Sequence, residues 1–211
     1  MPVLKFNIVQ VLYYTMIYLV LSGMLGFLSD QLGKVLLRGS PPYVMWQGWT
    51  WLDLVLTPPV SPLVDAVYGV VVIPLVEEGL LIGIPLTVFD SPLLALAGAV
   101  TFSLLHAVPI AEACRRYRLP RTYLAKALFV NQIYHMPLAV YSWYLWTHGY
   151  AWLSIVLHMV NNALATVGEY RTKREKERQI AEWLRDTSRK RHAPYLESYV
   201  PVREDEDFTR S

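Results

Sequence analysis

Long apolar runs alternate with short polar breaks along this chain, and the run lengths fit helices that cross a bilayer. About twenty apolar residues span roughly 30 Å of hydrocarbon at helical rise. The first run covers Ile8 to Leu28. It is too long for the apolar region of a signal peptide and precedes no persuasive small-x-small cleavage site, so it reads as a retained transmembrane helix. A connector from Ser29 to Ser61 follows, broken by Pro41, Pro42, Pro58 and Pro59, with Trp46, Trp49 and Trp51 suited to the headgroup level. The second span runs from Pro62 to Phe89, with Pro74 predicting a tilt or kink. Asp90-Ser91-Pro92 makes a tight turn into a third span ending near Ala113. A fourth runs from Tyr123 to Trp146 and a fifth from Tyr150 to Val167. The pattern predicts an all-α fold, a polytopic transmembrane helical bundle of about five spans.

Charge orients this bundle. Before Arg115 the only basic residues are Lys5, Lys34 and Arg38. The loop after span three carries Arg115, Arg116, Arg118 and Arg121, and the segment after span five carries Arg171, Lys173, Arg174, Lys176 and Arg178. Spans four and five form a hairpin, so both basic segments share one side, and the positive-inside rule makes it the cytoplasmic side. Lys34 and Arg38 fall on that side too. The N-terminus is then outside and the C-terminus inside, and a cell membrane is the expected location. Residues 1–168 form the bundle and 169–211 a soluble extension. In that extension Glu169 to His192 reads as a charged helix with Ile180, Trp183 and Leu184 on one face, lying on the inner leaflet or simply solvated. Beyond Pro194 an acidic end, Glu204 to Asp207, is expected to be disordered.

Composition narrows the function classes. Hydrophobic residues make up 54% of the 211 and charged residues only 17%, below the roughly 25% of a soluble protein. Basic residues flank membrane segments, so no nucleic-acid partner is expected; the partners are the lipid bilayer and something embedded in or attached to it. The single cysteine, Cys114, rules out an internal disulfide and any multi-cysteine metal cluster. It reads as a small apolar residue more readily than as an acylation site.

Against this background Glu77, Glu78, His106 and His158 stand out, each inside an apolar run, with Asn162 one turn beyond His158. A charge at the centre of a bilayer costs roughly 2.5–3.5 kcal/mol on insertion scales, so such residues mark chemistry, transport or buried pairing. Adjacent helical residues diverge by about 100°, so Glu77 and Glu78 cannot both face one site squarely. Phe102 shares a face with His106, as His158 does with Asn162. A carboxylate beside an imidazole can take a proton from water. A second imidazole with a carboxamide can donate to an oxyanion. Glutamate with two histidines is equally an acceptable zinc set with an open position, so Glu77, His106 and His158 leave zinc open as a cofactor. Direct and metal-assisted activation both predict amide hydrolysis. The bland reading is helix–helix hydrogen bonding, and Asn131 with His135 in span four is a further polar pair assigned, by a small margin, to tying helices together.

In order and spacing these residues resemble the CPBP family of intramembrane proteases, which includes the CAAX prenyl endopeptidases and bacteriocin-processing relatives. The family pattern is two glutamates with an arginine four places after the second, F-x-x-x-H, and H-x-x-x-N or H-x-x-x-D. Here it is met by Glu77-Glu78, Phe102 to His106, and His158 to Asn162, over about 62–167. The resemblance implies that Glu77 and His106 activate water, that His158 and Asn162 stabilise the oxyanion, and that Glu78 supports them. It leaves metal dependence open. The implied function is an intramembrane endopeptidase acting on a membrane-associated peptide or protein. Ile82 stands where the arginine is expected. That departure motivates the alternative of a catalytically silent membrane scaffold or binding protein. A proton-coupled transporter is disfavoured because no inverted repeat or second broken helix is evident.

Overall fold

A computed structural model describes residues 6–38, 67–116 and 119–167, together with the single positions Arg178, Glu182 and Arg185. Every regular element among the described residues is a helix. The proline-rich connector, the start of the second span and most of the tail lie outside them. Arg178, Glu182 and Arg185 are helical, and Arg178 Nε lies 3.9 Å from Glu182 Oε1 at i,i+4 spacing.

Helix α1 (Ile8–Leu36) starts at Asn7, whose side-chain oxygen accepts from the Val9 and Gln10 amides at 3.0 and 3.3 Å. It runs eight residues past the expected end at Leu28, because Gln31 to Leu36 continue a helix-forming sequence and Lys34 pairs with Asp30 one turn away. Helix α2 (Tyr68–Thr87) carries the two glutamates. Helices α3 (Pro92–Leu105) and α4 (Ala107–Arg116) form one apolar stretch interrupted at His106. The cause is Pro109, which has no N–H for the Leu105 carbonyl four residues back and crowds it with its ring. Helix α5 (Arg121–Thr147) turns at Gly149, at φ 87°, into helix α6 (Ala151–Val167). Asp90 takes a left-handed conformation at φ 47°, and Ser91 caps α3 by accepting from the Leu94 amide.

Among the described residues, three stretches are long and apolar enough to cross a membrane: α1, α2 and Pro92–Glu112. Helix α5 has the length, but Lys126, Asn131, Gln132 and His135 dilute its apolar run; α6 is shorter. Leu12, Met16, Met24 and Phe27 of α1 and Leu93 and Leu94 of α3 point outward, as lipid-facing side chains do.

Two prolines reshape α2. The N–H of Ile73 reaches back five residues to the Tyr68 carbonyl, and that of Ile84 likewise to Gly79. Each wide turn sits just ahead of a proline, Pro74 or Pro85. The expected irregularity at Pro74 is therefore a widened turn, and a second one follows.

Inside the bundle, Ile82, Leu86, Ala95, Ala99, Phe102, Ala139 and Trp146 form one core beneath the glutamates. A second core joins α1 to α5 and α6 through Tyr14, Tyr18, Leu138, Leu145, Tyr150 and Leu157. Cys114 packs with Leu37, Ile110 and Tyr123, where burial pushes its thiol above the ordinary range. That surrounding fits a small apolar residue.

Candidate active site

Glu77 and Glu78 occupy the α-helical piece between the two wide turns of α2 and are 0% and 1% exposed. Their directions diverge, as helical geometry requires. One imidazole nevertheless reaches both. His158 Nδ1 lies 3.1 Å from Glu78 Oε1, and its Nε2 lies 3.7 Å from Glu77 Oε2. The two ring nitrogens sit on different edges of the imidazole, and this spans the divergence.

Glu78 is also held from its other oxygen. Trp146 Nε1 donates to Oε2 at 2.8 Å and Ser154 Oγ donates to the same atom at 2.6 Å. Ser154 lies one turn before His158 on α6, so its position on that face is readable from spacing alone. Trp146 is not. An indole near a helix end reads as an interfacial anchor, whereas here it is buried and points inward.

Phe102 stands between the two motif imidazoles, edge-on to His106 at 4.7 Å and to His158 at 5.4 Å between ring centroids. His106 Nδ1 lies 3.0 Å from the Phe102 carbonyl. A carbonyl only accepts, so Nδ1 carries the hydrogen and the lone pair of a neutral ring is at Nε2. His135 stacks on His106 at 4.3 Å and repeats the arrangement, its Nδ1 3.0 Å from the Asn131 carbonyl. The helix-tying role expected for Asn131 and His135 is thus divided differently. His135 joins the histidine cluster, and the tie is made by their neighbour Gln132, a residue the sequence did not single out.

Gln132 donates to the Ser103 carbonyl at 2.9 Å and accepts from Ser103 Oγ at 2.6 Å, joining α5 to α3. Replacing it by leucine leaves both Ser103 groups without this partner. Gln132→Leu is expected to lower stability by about 1–2 kcal/mol, measured as the shift in a reversible detergent-unfolding curve. An unchanged curve contradicts the structural role.

Asn162 is placed by the first wide turn. Ile73 bonds to Tyr68 and Pro74 has no N–H, so the Gly69 carbonyl lacks both ordinary helical donors. Asn162 Nδ2 takes that carbonyl at 3.0 Å. One amide hydrogen is therefore committed to α2.

The five expected residues come together unevenly. Glu77, Glu78 and His158 lie together, His106 joins through Phe102, and Asn162 braces α2 about two turns before Glu77. Glu77 Oε2 faces His158 Nε2 at 3.7 Å. Among the described residues, no three of His, Cys, Asp and Glu stand where they could jointly hold a metal ion. Glu77, His106 and His158 thus do not fit a zinc cradle in this arrangement. Ile82, 1% exposed, packs in the core with Phe102 and Trp146.

Comparison with curated proteins and with solved structures finds no match. The type II CAAX prenyl endopeptidase Rce1-like family model matches residues 59–164, which is half of the chain and takes in every residue of this cluster. With its apolar helices, the match describes an integral membrane protein of CAAX-protease type. The chain belongs to the type II CAAX prenyl endopeptidase Rce1-like family.

Proposed function

We propose that this protein is an active intramembrane endopeptidase that hydrolyses a peptide bond of a membrane-associated peptide or protein. The observation that carries the reading is the single imidazole, His158, set between two buried carboxylates on α2. Such a grouping is costly in a bilayer and has the parts that hydrolysis needs.

Glu77 is the general base. It takes a proton from a water molecule whose other hydrogen is held by the Nε2 lone pair of His106. The hydroxide forms a bond to the scissile carbonyl carbon, and the carbonyl oxygen becomes an oxyanion. The second amide hydrogen of Asn162 donates to it, while the Nε2 lone pair of His158 accepts from the newly protonated Glu77. Glu77 then returns its proton to the amide nitrogen as the carbon–nitrogen bond breaks. The carboxylic acid and the amine leave, the acid's proton passing to the amine to give carboxylate and ammonium, and the site is restored. No step is routed through a metal.

Family membership directs the choice of substrate to a prenylated C-terminus, entered from the inner leaflet with the chain's C-terminus in the cytoplasm. The test uses the full chain in nanodiscs with a farnesylated peptide ending in cysteine and three further residues. Release of those three residues, seen by mass spectrometry, is the expected result. Ile82 supports a second reading, a silent scaffold of the same fold, which predicts an intact peptide at every enzyme concentration.

A further inference from the structure

The proposed hydrolysis requires His158 to turn a particular nitrogen, Nε2, toward Glu77 and the reacting atoms. A histidine between two carboxylates can carry its hydrogen on either side. If Nε2–H pointed at Glu77 and Nδ1 were bare, the roles of the two glutamates would exchange. The surroundings of Glu78 decide between these states. Its Oε2 accepts from Trp146 and from Ser154, so its hydrogen-bonding capacity on that side is filled by two donors. A carboxyl hydrogen placed there would collide with both. Two donors on Oε2 favour Glu78 as an acceptor at Oε1 as well, with Nδ1 of His158, 3.1 Å away, as its donor.

Nothing charged helps. Ile82 lies beside Trp146 in the same core, and among the described residues Glu78 meets no arginine or lysine. The indole has a seat made for it: a Cβ on Gly83 would come within 2.7 Å of the Trp146 ring. It belongs to the same buried core as Leu86, Ala95 and Ala139. Ser154 is fixed by α6 itself, one turn from His158.

We propose that Trp146 and Ser154 are positioning residues that take the place of a cation at Glu78, locking the hydrogen of His158 onto Nδ1 so that Nε2 faces the reacting atoms. Two neutral donors serve where one positive charge would. This inference rests on the assignment of His158 to the reaction, but the tautomer it specifies is measurable without any reaction.

The experiment is nitrogen NMR of the full chain, labelled with ¹⁵N-histidine in nanodiscs, with the His158 signals assigned by their loss in His158→Gln. In the wild type Nδ1 carries the hydrogen. In Trp146→Phe/Ser154→Ala, signals of the Nε2–H tautomer appear. On the farnesylated peptide each single variant loses about 10-fold in kcat and the double variant about 100-fold, with KM unchanged, the range for a partner that orients a working histidine. Should the double variant not fold, Ser154→Ala alone, a loss of one oxygen atom, carries the same NMR reading. An unchanged tautomer overturns the inference even if activity falls. A changed tautomer in a protein that cleaves nothing sustains it and overturns the proposed function instead.

Discussion

Glu77→Gln is expected to reduce cleavage of the prenylated peptide by about 10²–10⁴-fold in kcat, the range for removing a general base. The substitution keeps shape and size and removes only the ability to take a proton. KM should hold, because Glu77 sits on α2 within the bundle and its role begins when water is deprotonated. The matching change one residue on is predicted to be milder. Glu78 works through His158, so Glu78→Gln should lose about 10–100-fold. The order of the two effects is the informative outcome. A Glu77→Gln enzyme that keeps more than a tenth of the wild-type rate removes Glu77 from the chemistry. A larger loss at Glu78 exchanges the assignments. Melting temperatures of both variants must stay near that of the wild type for the comparison to hold.

The same pair shows how far the sequence could be read. Two carboxylates inside an apolar run cannot be mistaken for surface charge, and their spacing from Phe102, His106, His158 and Asn162 was legible as a constellation. Helical geometry sets Glu77 and Glu78 about 100° apart but could not show that one imidazole would reach both. That contact depends on how α6 crosses α2, and crossings follow from packing rather than from periodicity.

Proline gave partial information. Pro74 announced an irregularity, yet the particular carbonyl released, that of Gly69, follows only once Ile73 is seen bonding to Tyr68. The break at His106 was missed because Pro109 lies three residues later in a run that is apolar throughout. Trp146 was hidden by its residue type. Near a helix end tryptophan is read as a headgroup anchor, and only its packing against Gly83 reveals that it turns inward. In each case the local signal was present and its partner was distant in the chain.

The largest effect on stability is expected at Gly98. A Cβ built there would lie 1.6 Å from the Leu81 carbonyl oxygen and 2.7 Å from its carbon, so backbone meets backbone at this crossing. Both sides of the contact have a cause. Leu81 would normally bond to the residue four places on, but that residue is Pro85, which has no N–H. Its carbonyl turns outward from α2 toward α3, where the absence of a side chain at Gly98 admits it, flanked by fully buried Ala95 and Ala99. No rotamer change can relieve an added methyl group, and the helices must part. Gly98→Ala is therefore expected to cost about 3 kcal/mol or more, at the upper end for overpacking, and to draw the glutamates of α2 away from His106 on the far end of α3. Gly23→Ala is the control, because nothing lies within 4 Å of its Cβ position, and it should be neutral or stabilise α1 by up to about 1 kcal/mol. The measurement is again reversible detergent unfolding, with peptide cleavage followed in parallel. If Gly98→Ala matches the wild type in both, the close approach of α2 and α3 does not organise the site. If it loses both while Gly23→Ala keeps both, a carbonyl freed by Pro85 and a missing side chain at Gly98 together set the distance across which Glu77 and His106 share a water molecule.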